Sequence, residues 1–390
     1  MATPTRTHLH DLRGAARLAF DATTGITVLV EKMHHTIQLT PLPLGKSKAG
    51  VTRGITGLVY RSVRGATHLI GRGVDAGLAP LAALLPEGET NPARDTLVSI
   101  VNGVYGDHLE RTENPLAIRM HLRAVGRRVD PMRPAEVFPD ASGRVMVVVH
   151  GLCLNESNWT REGKSPVESL AASLGYTPVH LRYNTGRSIA SNGQDFAALL
   201  ETLLAHWPQP VEELAIVGHS MGGLVARSAE HHGRQSGHEW PTRLRKLVFL
   251  GTPLHGAPLE RGGHRLDYVM ELSPYVAPFT RIGKSRSSGI TGLRYGSITP
   301  SEQEFVQLPE GVACYAIAAN LGAKRDLLSE KLVGDGLVPI DSALGRHSDA
   351  ARTFAIPPER QWIGHQMGHL ELLHRREVYA QLRRWLRSDG

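Results

Sequence analysis

Residues 213–232 read ELAIVGHSMGGLVARSAEHH, and this stretch decides the fold. Leu214 to Val217 is a short apolar run of the kind found in a buried parallel strand. LVARSAEHH reads as a helix, and between the two stands Gly218-His219-Ser220-Met221-Gly222. The order is therefore strand, sharp turn, helix. A serine on such a turn takes strained backbone angles, and small neighbours let the adjacent chain and helix pass closely, so its hydroxyl is presented outward. The pentapeptide alone is a weak signal, because an ordinary turn serine would look the same. The strand before it and the helix after it give it weight.

A serine hydroxyl is a poor nucleophile at neutral pH, so a base must take its proton and a third group must orient that base. The chain should supply an acid and then a histidine, in that order. Asp335 lies in Val-Gly-Asp-Gly-Leu-Val-Pro, after the apolar run VACYAIAAN, and its glycine neighbours permit a tight turn. Asp341 and Asp326 compete for the role, since loop aspartates often only cap turns. His369, in Gly-His-Leu-Glu-Leu-Leu, precedes a final helix and follows the run TFAIP, which is read as a strand. His365 is its rival, and with 20 histidines in the chain most must be surface or packing residues.

Attack on an ester would create an oxyanion that needs pre-aimed donors. Two backbone N–H groups qualify by position: Met221, directly after the serine, and Leu152, after His150-Gly151 at the end of RVMVVV. Cys153 is close by but is flanked by leucines and has no motif linking it to a base, so it reads as packing.

Working outward, the chain from about residue 115 alternates short apolar runs with helical patterns, as in a parallel sheet covered by helices. The runs are RVMVVV, TPVHLRYN, ELAIVG, RKLVFLG, VACYAIAAN and RTFAIP. An excursion over about 257–306 interrupts the pattern and has the look of a lid or substrate-binding insertion. It carries Arg281, Lys284, Arg286 and Arg294, which would suit an anionic surface, although a solvated loop reads the same way.

Residues 1–110 read as an α-helical extension, leaving 111–390 as the catalytic domain. Leu12, Ala16, Ala19, Thr23, Ile26, Val30, Met33 and Ile37 recur at helical spacing on one face until Pro41 and Pro43. Val51 to Leu85 is also helical in period but rich in glycine, with Arg53, Arg61, Arg64 and Arg72 along it. Leu97, Val98, Val101, Val104, Tyr105 and Leu109 predict a third helix. Such segments could meet a membrane surface, pack on the enzyme or self-associate.

The 390 residues are 41% apolar, enough for a sizeable core, and the formal charge of +7 comes from 44 basic and 37 acidic residues spread along the chain. Aromatic content of 5% with no basic stripe argues against nucleic-acid binding. Two cysteines without paired spacing give no disulfide framework. No secretory signal or membrane span is visible, so the expected setting is cytoplasmic, with peripheral contact at the inner membrane surface through the N-terminal helices or the lid left open.

The pieces VVVHGLCLNESNW, VGHSMGGLVAR, LVFLGTPLHGAP, GDGLVP and GHLELL resemble serine lipases and esterases of the α/β-hydrolase superfamily. They are most similar to the bacterial triacylglycerol lipase and GPI inositol-deacylase groups. The resemblance runs from about residue 145 to 385 and leaves the helical first 110 residues uncovered. It implies an α/β-hydrolase fold with nucleophile Ser220, acid Asp335, base His369 and oxyanion donors Leu152 and Met221. The expected activity is cleavage of carboxylic esters of lipids or other acyl substrates, with no organic cofactor or metal needed. Acyl transfer by the same residues, or a non-catalytic lipid- or protein-binding module, are the alternatives.

Overall fold

The computed structural model describes residues 10–21, 24, 65, 69, 72, 75, 92–257, 287–301, 304–322 and 334–387. Two compact units emerge: one of Met1–Asn91, His108–Ala117 and Ala277–Lys284, the other of Pro92–Asp107, Ile118–Val276 and Ser285–Gly390.

In the first unit a helix covers residues 10–21. The apolar face that its period predicts is not the packed one. Leu12 is 55% exposed and Ala19 is exposed, whereas Gly14 is buried, and a Cβ there would lie 2.5 Å from Leu116 Cγ. Arg13 and Arg17, on that same side, both pair with Asp75 and hold its carboxyl well below the usual carboxylate range. A small residue and two ion pairs thus settle the side that hydrophobic period alone assigns differently. Ile26 to Ile37 and most of the glycine-rich segment lie outside the described residues.

The second unit is built on one eight-stranded sheet. Before it stands α1 (Pro92–Arg111), whose residues up to Asp107 belong to this unit. A hairpin follows, β1 (His121–Ala124) and β2 (Arg127–Val129), joined by Val125 and Gly126 at φ 49° and 73°. Two successive positive φ angles make a turn whose twist matches that of the flanking strands. Its charged residues concealed the hairpin from a reading based on apolar runs.

Then come β3 (Arg144–Val149), α2 (Pro166–Ser173), β4 (Thr177–Arg182), α3 (Ile189–Ala205), β5 (Glu213–His219) and α4 (Met221–Gln235). Further along come β6 (Leu244–Leu250), α5 (Ser288–Tyr295), β7 (Ala313–Asn320), β8 (Gln361–His365) and α6 (Arg376–Arg387), and the strands lie in the order β2-β1-β4-β3-β5-β6-β7-β8. From β4 through β8 all pairings are parallel, and β1 joins β4 antiparallel.

Side-chain alternation divides the core in two. Val145, Val147 and Val149 of β3 join Phe196 and Leu200 of α3 and Leu224 of α4 on one face. Met146 and Val148 join Leu170 of α2 and Leu382 and Trp385 of α6 on the other. Full burial of each such aliphatic side chain is worth about 1.5–3 kcal/mol, and both faces being covered explains why the strands read as unbroken apolar runs.

One expected strand is absent. RTFAIP begins at the end of a 3-10 turn and pairs with no strand; the last strand is Gln361–His365 instead. Pro357 and Pro358 lack the N–H a ladder needs, and Phe354 is spent on stacking with His255 at a 4.8 Å ring separation. Of the expected lid over 257–306, residues 258–286 and 302–303 lie outside the described residues; α5 and the chain on either side of it are described. Among the described residues, no helix is long and apolar enough to cross a membrane.

Candidate active site

β5 delivers His219 to the C-terminal edge of the sheet and α4 begins at Met221, so Ser220 must turn the chain between them in one residue. It does so at φ 53°, ψ −124°. A non-glycine residue held there stores about 1–3 kcal/mol of strain, which surrounding contacts must offset. Two hydrogen bonds fix it, from Ser220 N–H to the Leu250 carbonyl at 2.8 Å and from Gly223 N–H to the Ser220 carbonyl at 3.1 Å. The motif glycines have steric reasons. A Cβ on Gly218 would come within 2.5 Å of Gly223 Cα, and one on Gly222 within 2.4 Å of the Val149 carbonyl oxygen.

Asp335 sits between Gly334 at φ 56° and Gly336 at φ 93°, a turn that brings its carboxylate inward. Oδ1 accepts hydrogen bonds from the N–H groups of Leu337 (2.9 Å) and Val338 (2.7 Å). Oδ2 accepts from His369 Nδ1 at 2.6 Å, and both side chains are almost wholly buried. Donation through Nδ1 leaves Nε2 of His369 as the basic nitrogen. His369 opens a 3-10 turn after β8, and its ring and Ser220 line one cavity together with Leu152. Gly251, at φ 57°, gives the ring room: a Cβ there would be 3.0 Å from His369 Cε1.

Of the rivals, the described ones stand elsewhere. Asp341 has a side chain 72% exposed near Arg346, and Asp326 lies outside the described residues. His365 ends β8 opposite Asn320 in the strand register.

Met221 opens α4, so its N–H lies outside the helical hydrogen-bond ladder. The Leu152 N–H engages no backbone carbonyl among the described residues. Gly151 carries the Leu152 loop against the serine, where a Cβ would stand 2.9 Å from Ser220 Cβ. Cys153 is buried, and burial pushes its thiol up to about 12, which makes it a poor nucleophile.

Two further histidines support the site, and sequence reading passed over both. His219 donates from Nε2 to the His369 carbonyl at 3.2 Å, with the two rings 4.7 Å apart. Complete burial, reinforced by the neighbouring His369, drives its pKa well below the ordinary histidine value, so His219 stays neutral. His150, stacked on Tyr183 at 4.5 Å, donates from Nδ1 to the Gly151 carbonyl at 3.0 Å, and burial lowers its pKa to about 4. Their positions flanking the motifs were the available signal. Among the described residues, no cluster of three or more His, Cys, Asp or Glu could hold a metal ion.

The sheet order, the sharp turn at Ser220 between β5 and α4, and the loops carrying Asp335 and His369 at the same sheet edge are those of the α/β-hydrolase fold. Residues 186–312, about a third of the chain, match the family model described as the PGAP1-like alpha/beta domain. No curated protein sequence matches the chain. Similar solved structures include the mature lipase of Bacillus licheniformis, at 19% identity and TM-score 0.45, with 69% of this chain and 98% of that chain covered. An esterase of Pyrococcus furiosus aligns at 15% identity and TM-score 0.40, with coverage of 63% and 82%. Lipase B of Aspergillus fumigatus aligns at 14% identity and TM-score 0.39, with coverage of 71% and 58%.

Proposed function

We propose that the protein hydrolyses carboxylic esters with an apolar acyl group, through an acyl-enzyme on Ser220. The observation that carries this reading is the buried 2.6 Å contact between Asp335 and His369, whose ring shares a cavity with the strained Ser220. Ser220 Oγ attacks the carbonyl carbon while His369 Nε2 takes its proton, and Asp335 supports the resulting imidazolium. The N–H groups of Leu152 and Met221 receive the oxyanion. His369 then protonates the departing alcohol, and a water activated by the same nitrogen releases the acid. The cavity wall favours an apolar acyl chain, since Leu152, Leu154, Pro253, Leu293 and Leu337 contribute to it.

The test is hydrolysis of p-nitrophenyl esters from acetate to palmitate by the native protein and by Ser220→Ala, with fluorophosphonate labelling of both. Turnover and labelling of the native protein, both lost in the variant, are expected. An inert native protein that takes up no label would instead favour a binding module on this fold.

A further inference from the structure

One face of α1 packs against both the loop that carries Leu152 and the chain at the end of β4. Asp95, Ser99, Asn102, Gly103 and Gly106 recur at spacings of three and four, so they share a side of the helix. Asp95 Oδ2 accepts from Arg182 at 2.8 Å. Ser99 Oγ accepts from Asn155 Nδ2 at 3.1 Å, and Asn155 in turn caps the 3-10 turn that ends the loop. The Gly106 carbonyl accepts from Asn184 Nδ2 at 2.9 Å. Gly103 meets the Leu152 loop itself: a Cβ would fall 2.2 Å from Cys153 Sγ and 3.2 Å from both its Cα and its N.

Cys153 follows Leu152 directly and holds φ 61°, a left-handed angle that a residue with a side chain keeps only when its surroundings impose it. Its N–H donates to Thr185 Oγ1 at 3.1 Å, and its side chain clusters with Ile100, Val104 and Leu152. Helix α1 is thus the wall against which the strained residue is pressed.

We infer that α1 from Asp95 to Gly106 sets the oxyanion hole, with Ser99 and Gly103 as positioning residues that hold the Leu152 N–H on target through Asn155 and Cys153. This rests on the ester-hydrolase reading above and on Leu152 as an oxyanion donor. A misplacement of about 1 Å in such a group can lower turnover about a hundredfold. Because the donor meets charge that exists only in the transition state, the loss falls on kcat and leaves KM in place.

The experiment compares Ser99→Ala, Gly103→Ala and the double variant Gly103→Ala with Cys153→Gly, each with its active sites titrated to the fluorophosphonate endpoint. Turnover of p-nitrophenyl butyrate per titrated site is expected to fall about tenfold in Ser99→Ala and about a hundredfold in Gly103→Ala, with KM within about twofold. Inhibition by an alkyl trifluoromethyl ketone, whose adduct carries the oxyanion, weakens by the same factor as kcat/KM. Removing the sulfur in the double variant restores part of both, as coupling through Cys153 requires. Ser99→Ala introduces no bulk, so it keeps the test open should Gly103→Ala not fold. Full turnover per site in Ser99→Ala, or ketone affinity that does not follow kcat/KM, would overturn the inference. A native protein that neither turns over ester nor takes the label overturns the hydrolase reading itself, a distinct result.

Discussion

Gly151 and Ser220 touch across the edge of the sheet, so closely that a Cβ on Gly151 would stand 2.9 Å from the serine's own Cβ and 3.1 Å from His219 Nδ1. The first glycine after β3 is therefore a packing partner of Ser220 as well as the start of the loop that carries the proposed oxyanion donor Leu152. Gly151→Ala must displace either that loop or the turn bearing Ser220. Its expected effect is a kcat decrease on the order of a hundredfold, with an overpacking cost of about 1–3 kcal/mol. Steady-state kinetics beside urea unfolding measure both, and an alanine variant with native kcat would contradict the assignment of this loop.

The Asp335–His369 contact makes a sharper claim about chemistry. In Asp335→Asn, Oδ1 can keep its bonds from Leu337 and Val338, while an amide NH2 replaces the oxygen facing His369 Nδ1. That amide favours the opposite imidazole tautomer and puts a proton on the nitrogen that should accept one from Ser220. Turnover is expected to fall by roughly 10⁴, with little change in fold. Asp341→Asn should behave as wild type, because that side chain is exposed and its pair with Arg346, 4.0 Å away, is worth under about 1 kcal/mol. Comparable losses in the two variants would return the acid to an open question.

What the sequence disclosed follows the physics of each element. β3 and β7 are buried on both faces, so RVMVVV and VACYAIAAN stand out as apolar runs. The turns at Ser220 and Asp335 need glycine neighbours, which is why Gly218, Gly222, Gly334 and Gly336 mark them. β1 and β2 stayed hidden because HLRA and RRV carry charge on their open side, and β8 because QWIGH is too polar to read as a run. TFAIP was misleading for the opposite reason: Phe354 and Ile356 are buried by loop packing rather than by strand pairing. The glycines of α1 gave no warning of the loop beneath them, since that partner is about fifty residues away in sequence.

Stability should decline on acidification before the carboxylates are involved. Burial lowers the His150 pKa to about 4 from an ordinary 6.5, so below pH 6.5 the unfolded chain binds a proton that the folded protein refuses. The stabilisation is fully present above pH 6.5 and is lost as pH falls toward 4, reaching about 3 kcal/mol for this residue alone. His219, buried and shifted the same way, adds to the loss. Urea unfolding at pH 7.5 and pH 5 is expected to show a drop of at least about 2 kcal/mol that shrinks in His150→Asn. A pH-independent midpoint across that range would mean that His150 is reached by water or takes a proton in the folded state.

Leu293 offers a test of where the acyl chain lies. It projects from α5, is 6% exposed, and lines the cavity shared by Ser220 and His369, while its carbonyl accepts from the Ala257 N–H at 3.0 Å. The backbone bond holds the helix in place, so a larger side chain should narrow the cavity more than it moves the wall. Each buried methylene of substrate is worth about 0.8 kcal/mol, close to a fourfold gain in binding, and Leu293→Trp removes the space for several of them. Its kcat/KM on p-nitrophenyl esters should fall at least about tenfold at octanoate and beyond, with acetate and butyrate held within about twofold. An unchanged chain-length profile would place the acyl group on another path from Ser220, and a uniform loss across all lengths would instead mean that Ser220 itself had moved.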